Sequence, residues 1–110
     1  MVSDCVRIVD VAFSATTPYT SATINHPKYH NAHSWEVSGD AGVTAASVSV
    51  YVRLKASTDF VGIGNTVASP LTLAGDKLFQ IDGLAIEETR VVVNSITGTS
   101  GNLRVVYRGL

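Results

Sequence analysis

The sequence feature that most restricts the fold is a strict two-residue alternation over residues 47–56. The segment reads Ser-Val-Ser-Val-Tyr-Val-Arg-Leu-Lys-Ala, so every second residue is apolar and the residues between them are polar or amphipathic. Successive side chains of a β-strand point to opposite faces, whereas the same apolar residues would scatter around a helix axis. β-branched Val also favours an extended backbone. The segment therefore predicts a core strand with one buried face and one exposed face.

Other strand-like segments recur about every ten residues and are separated by turn residues, which is typical of a sandwich or barrel. They are residues 6–13, 19–25, 34–38, 60–67, 70–73 with a continuation at 78–81 after a turn, 88–96 and 102–108. Asp10 interrupts the first segment and indicates an edge strand. Gly62 and Gly64 predict a bulge or a twisted edge. Only residues 82–88 have any helical character, and that stretch is short.

This pattern predicts an all-β protein, and more specifically one Greek-key or jelly-roll β-sandwich of seven to eight short antiparallel strands. The chain has 110 residues, which suits one domain over residues 1–110 with a substantial core. A content of 45% hydrophobic and 15% charged residues argues against a disordered chain. The low charge also indicates that a partner covers part of the surface.

The charge balance and the cysteine count exclude several protein classes. Eight basic and nine acidic residues give a net charge of -1 with no basic run, which argues against nucleic-acid binding by phosphate neutralisation. Cys5 is the single cysteine, so an internal disulfide is excluded and we expect a buried or half-buried thiol. No signal segment follows Met1, and no apolar run approaches the roughly 20 residues of a membrane span. We therefore expect synthesis in the cytoplasm and no membrane partner.

The histidines His26, His30 and His33 form the one group with ligand-like spacing, in a segment that we expect to be a loop. A zinc site needs three or four fixed donors, and Glu36 is the one further donor that the chain could bring close. The favoured interpretation is three exposed loop histidines, with partial burial at an interface that responds to pH as a variant of it. Common nucleophile, phosphate-binding and metalloprotease motifs are absent from the sequence. We therefore expect no enzyme activity, no metal and no cofactor.

The aromatic residues divide into core and surface candidates. Trp35 and Tyr107 alternate in phase with aliphatic neighbours, which predicts core positions. Tyr51 falls on the exposed face of its strand beside Arg53, a composition found in protein–protein contacts. A solvated sheet face with ordinary cross-strand pairs explains the same pattern. If Tyr19, Tyr29 and Tyr51 surrounded a shallow groove, glycan binding would be favoured.

Three motifs in the second half of the chain resemble the small β-sandwich modules of tailed-bacteriophage virion proteins. Residues 48–60 (V-S-V-Y-V-R-L-K-A-S-T-D-F) are similar to a strand that runs into an S-x-D turn. Residues 79–83 (F-Q-I-D-G) precede an R-V-V-V strand, and residues 97–109 (T-G-T-S-G-N-L-R-V-V-Y-R-G) resemble the closing hairpin. After the turn, such modules often carry Gly and then Trp, whereas this chain has Phe60, Val61 and Gly62. Residues 1–33 match no such module.

The resemblance implies a non-enzymatic structural protein, foremost a capsid decoration (cement) protein that binds and stabilises the head shell. Such proteins are often trimers at local three-fold positions of a capsid. The implied partners are the major capsid protein or another virion protein, together with further copies of the chain, and the implied location is the virion. Residues 1–18 are then an arm that pairs with a neighbour by strand addition, or simply the first strand. The predicted partner-interface residues are Tyr51, Arg53, Val9, Val11, Phe13 and Tyr19.

Two alternative functions remain open on the sequence alone. The first is a phage tail, baseplate or fibre module, with or without glycan binding. The second is a carbohydrate-binding or immunoglobulin-like adhesion module of bacterial origin. An apolar, self-complementary surface would favour assembly over both.

Overall fold

The fold consists of two antiparallel sheets. It is seen in a computed structural model that describes residues 4–54, 59–65, 77–82 and 86–110. Within these ranges there are eight strands and a short 3-10 helix, His26–Tyr29. The strands are β1 (Asp4–Ala12), β2 (Tyr19–Thr20), β3 (Ala32–Gly39), β4 (Val43–Arg53), β5 (Val61–Asn65), β6 (Lys77–Asp82), β7 (Glu88–Gly98) and β8 (Asn102–Gly109). No helix in the described ranges has the length and apolar character needed to cross a membrane.

The strand order is that of a jelly roll. The first sheet has the order β1-β8-β3-β6, and the second sheet has the order β2-β7-β4-β5, in the described part of the chain. The first strand pairs with the last, the second with the seventh, the third with the sixth and the fourth with the fifth, all antiparallel. This is the pairing of one long hairpin rolled into two sheets. The predicted all-β sandwich is therefore confirmed.

The core lies between the sheets and is built from the alternating apolar positions of the central strands. In β4, Val48, Val50 and Val52 are buried, and the residues between them are half-buried on the outer face. Trp35 and Tyr107 are both fully buried, so their predicted core positions are confirmed. The predicted bounds of the strand were wrong at its end, because β4 stops at Arg53 and the apolar side chain that follows is half exposed.

A bulge in β1 explains why its sequence alternates imperfectly. The pairing with β8 shifts register between Arg7 and Val9, so Ile8 is an extra residue on the β1 side. Beyond the bulge, Val9 pairs with Val105 and Asp10 pairs with Arg104. β1 is an edge strand, as predicted. However, Val9 is buried in the core, and its prediction as a partner-contacting residue was wrong.

The segment before β3 departs from its sequence-based prediction. Residues 26–33 were expected to be a loop, but they contain the 3-10 helix with Pro27 in its first turn, and His33 already belongs to β3. In the predicted strand at residues 19–25, β2 covers only two residues, and Ile24 adds an isolated bridge to Thr89. The predicted strand at residues 70–73 lies outside the described residues.

The turn between β7 and β8 depends on Gly101. Its φ of +83° lies in the left-handed region that glycine adopts readily. A Cβ built at this position would lie 2.5 Å from the Cβ of Asp40. Asp40 in turn accepts a hydrogen bond from the backbone N–H of Asn102 at 2.9 Å. The turn therefore requires glycine for both its backbone conformation and its space.

We predict that Gly101→Ala destabilises the fold by about 2 kcal/mol or more, because left-handed strain adds to the contact with Asp40. The measurement is the midpoint of urea unfolding. Thr99→Ala, at an exposed position of the same turn, serves as the control and is expected to change stability by less than about 0.5 kcal/mol. Equal midpoints for the two variants would contradict this account of the turn.

Candidate functional site

The structure separates the six predicted interface residues into an outer and an inner group. Tyr51 and Arg53 lie on the outer face of the second sheet, where alternate residues of β4 face away from the core. The inner group points toward the core: Val9 belongs to it, while Val11, Phe13 and Tyr19 are partly buried and pack against it. The candidate site is therefore built around the outer pair, and a partner role for the three partly buried residues remains a prediction.

The outer pair belongs to a compact group of cationic and aromatic side chains. We call Tyr51, Arg53, Phe60, Glu88 and Arg90 the arginine–aromatic cluster. The guanidinium carbons of Arg53 and Arg90 lie 4.4 Å and 4.2 Å from the centroid of the Phe60 ring. That of Arg90 also lies 5.9 Å from the centroid of the Tyr51 ring. These distances are typical of cation–π contacts, so one phenyl ring holds two guanidinium groups.

Strand register places these residues side by side. In the β4–β7 ladder, Tyr51 pairs with Arg90 and Arg53 pairs with Glu88. The Arg53 guanidinium donates a hydrogen bond to the Glu88 carboxylate within an ion pair whose side chains are 23% and 18% exposed. Directly opposed, oppositely charged residues are a favourable cross-strand pair. Glu88 therefore compensates the charge of Arg53.

Gly62 makes room for the tyrosine of the cluster. It pairs with Tyr51 in the β4–β5 ladder, and a Cβ at Gly62 would lie 3.3 Å from Cε1 of the tyrosine ring. The same ladder shifts register between Ser49 and Tyr51, which confirms the bulge predicted from the glycines. The ring of Tyr51 thus packs against the β5 backbone and is partly covered.

Arg90 is the cation of the cluster without a carboxylate. Within the described residues it makes no hydrogen bond or ion pair, and its buried Nε has no acceptor. Aromatic rings hold its side chain instead. The sequence prediction missed Arg90, Glu88 and Phe60. Two-residue alternation along the predicted strand at residues 88–96 puts Glu88 and Arg90 on one face, but only the register with β4 shows that this face adjoins Tyr51.

A second group of charges, on the first sheet, is internally compensated. Arg104 binds Asp40 through Nη1–Oδ1 at 2.8 Å, and its Nε lies 3.8 Å from Oδ1 of Asp10. The Asn102 side-chain amide donates to Asp10 at 2.9 Å. Hydrogen bonds from the Arg104 guanidinium and the Asn102 backbone N–H lower the pKa of Asp40, and the Asn102 side-chain hydrogen bond lowers the pKa of Asp10. In return, Asp40 raises the pKa of Arg104. This network ties β1 and the turn after β3 to β8.

We predict that the Asp40 network stabilises the fold at neutral pH and that this stabilisation is lost in acid. The ordinary pKa of an aspartate is 3.8 and that of folded Asp40 is lower. Its contribution is therefore present well above pH 3.8 and is lost as the pH falls through the folded value. Asp40→Asn should lower the urea midpoint at pH 7 and make the midpoint depend less on pH in the acid range.

The matched control for this prediction is Ala41→Ser, an exposed and uncharged change in the same turn. It should leave the pH dependence as in the wild type. If Asp40→Asn kept the full acid dependence of the wild type, another group would have to be responsible.

The histidines do not form an exposed loop group. His33 is 1% exposed and His30 is 6% exposed, so the expectation of exposed side chains was wrong for both. The Nδ1 atom of His33 lies 2.7 Å from the hydroxyl of Tyr107, beside the ring of Trp35. Burying polar rings requires such hydrogen bonds. Among the described residues, no three His, Cys, Asp or Glu side chains are grouped to hold a metal, and the expectation of no metal stays a prediction.

The cysteine and the three tyrosines considered for surface roles lie in different parts of the structure. Cys5 is exposed, so the expectation of a buried or half-buried thiol was wrong. Tyr29 is 69% exposed on the 3-10 helix, Tyr19 packs against the core, and Tyr51 lies on the outer face of the second sheet. These three tyrosines therefore do not line one groove.

Comparisons with known proteins assign this chain to no family. No protein-family model matches the chain, and no curated protein matches it significantly. A solved structure from work titled "Bacillus endospore appendages form a novel family of disulfide-linked pili" is 12% identical, with 98% of this chain and 86% of that chain covered at a TM-score of 0.44. At this TM-score, the likeness has no bearing on function.

Proposed function

We propose that this chain is a non-enzymatic structural protein of a bacteriophage virion, most specifically a capsid decoration protein that binds and stabilises the head shell. The observation that carries the proposal is the arginine–aromatic cluster on the outer face of the second sheet. Arg and Tyr are enriched in protein interfaces and among the residues that dominate their binding energy. The jelly-roll fold and the resemblance of residues 48–60, 79–83 and 97–109 to virion modules support the same function.

The cluster is arranged before any partner arrives. Ordering a long arginine side chain at an interface costs about 0.5–1.5 kcal/mol. Here Phe60 already holds both guanidinium groups, and Glu88 holds Arg53. A surface of this kind loses less conformational entropy on docking than a surface of free arginines. This favours attachment to another protein over a solvated sheet face.

Three titratable side chains of the described residues have structural partners, which supports a non-enzymatic role. Asp40 is bound to Arg104, Glu88 to Arg53, and His33 to Tyr107. A general acid or base has to reach a substrate. In these three pairs the reactive groups are engaged with the protein itself.

We expect the purified chain to form a homotrimer, since decoration proteins at three-fold positions match the symmetry of their site. Multi-angle light scattering would then give three times the mass of one chain. A mass that stays at one chain over a wide concentration range would contradict the trimer, and it would raise the tail-module and glycan-binding alternatives to equal standing.

The direct test is co-sedimentation with empty heads of the virus whose genome encodes the chain. We expect the wild type to pellet with heads and to raise their thermal disruption temperature. The double variant Tyr51→Ser, Arg90→Gln should bind about tenfold more weakly, because truncating interface anchors typically costs at least 1–2 kcal/mol. Its own melting temperature should be checked, so that lost binding is not confused with lost folding.

Arg108→Gln is the matched control, since Arg108 is exposed on the outer face of the opposite sheet. It should bind heads as the wild type does. Wild-type protein that stays in the supernatant with heads but pellets with tails would overturn the decoration role in favour of a tail module. Equal loss of binding in the control and in the cluster variant would remove the second sheet as the docking surface.

A further inference from the structure

We propose that the docking surface binds a carboxylate, the side chain of an Asp or Glu on the partner protein, at Arg90. The inference rests on the proposed function in that it names the chemistry of the partner at the same surface. The juxtaposition that carries it is one guanidinium in contact with two aromatic rings, next to a second guanidinium that already has its carboxylate.

The charge balance of the cluster leaves one positive charge without a counterpart. Arg53 and Glu88 compensate each other across the β4–β7 ladder. Arg90 makes no ion pair or hydrogen bond with any residue that the structure describes. The whole chain, by contrast, has a net charge of -1. The five residues of the cluster thus carry two positive charges and one negative charge, and the excess cation complements an acidic group.

The aromatic contacts also leave Arg90 able to recognise a carboxylate. A cation–π contact engages no acceptor oxygen, so it does not use the hydrogen-bonding capacity of the guanidinium N–H groups. The Nε atom of Arg90 is buried and has no acceptor. The two terminal Nη atoms do not share this state of being both buried and unpaired. Two parallel N–H donors of a guanidinium group match the two oxygens of a carboxylate. Lys at this position would supply the charge without the planar fork.

A single uncompensated cation favours a side-chain carboxylate over a polyanion. Nucleic acids are bound by neutralising several phosphates at once, which requires a basic patch. Here the neighbouring outward residues of β7 are Glu88, which is acidic, and Val92, which is half-buried and apolar. An apolar residue, Val92, next to a single cation, Arg90, is a composition suited to a protein interface.

The test is a titration of the isotope-labelled full chain at low salt, in which the NMR signal of the Arg90 Nε–H group is monitored. The probe is a short Gly/Ser peptide with blocked ends and one central Glu, and the comparison peptide carries Gln instead. We expect a saturable shift with the Glu peptide and at least a several-fold smaller shift with the Gln peptide. In Arg90→Lys, the saturable shifts of the Tyr51 and Phe60 ring signals should be lost. The control Arg108→Lys should keep them.

Three outcomes would overturn the inference: equal shifts with the two peptides, ring shifts in Arg90→Lys that match those of the wild type, or no saturation with the Glu peptide. Inorganic phosphate serves as a third ligand, and a larger saturable shift with phosphate would assign the site to phosphate. The titration uses no heads. Loss of carboxylate binding while head binding still depends on the cluster would therefore remove this inference and leave the proposed function intact.

Discussion

The structure depends on the antiparallel ladders that β7 and β8 form with earlier strands, because each of the two occupies an inner position in its own sheet. β7 lies between β2 and β4, and β8 lies between β1 and β3. The ladders join distant parts of the chain, as in the pairs Tyr19–Val93 and Val11–Leu103. Neither sheet is complete before one of these last two strands has joined it. Folding through such non-local pairs is slow compared with that of a helical protein, because the loops must close before their contacts form.

The two sheets use charged residues on their outer faces in different ways. On the first sheet, Asp40 and Arg104 bind each other and tie a turn to the start of β8. On the second sheet, Arg53 has its carboxylate, whereas Arg90 is held by aromatic rings. The first arrangement satisfies its charges internally and stabilises the fold. The second leaves a preformed donor on rigid inner strands, and positions on strands are better suited than loops to hold a binding group in place.

Part of the fold could be predicted because alternation is a local property. The apolar positions of β4 and the in-phase Trp35 and Tyr107 are visible in the sequence and are buried as predicted. Alternation did not identify the buried face of β1, because an extra residue at the bulge changes which side chains, Val9 among them, face the core. The position of His33 was also predicted wrongly, because its segment was expected to be a loop with exposed histidines. A hydrogen bond to a residue 74 positions away makes burial acceptable there.

The sequence by itself determined the all-β class, the buried faces of the central strands and the glycine-bearing turns, since each depends on residues within a few positions of one another. Only the tertiary structure decided which strands are neighbours, and therefore which side chains meet. Tyr51 and Arg53 stand out in the sequence, but Phe60, Glu88 and Arg90 join them only through the register of β4 with its partner β7 and the approach of residues 59–60. The physical reason is that strand pairing uses backbone hydrogen bonds that are common to all residues, so the partner is selected by the packing of the whole sandwich.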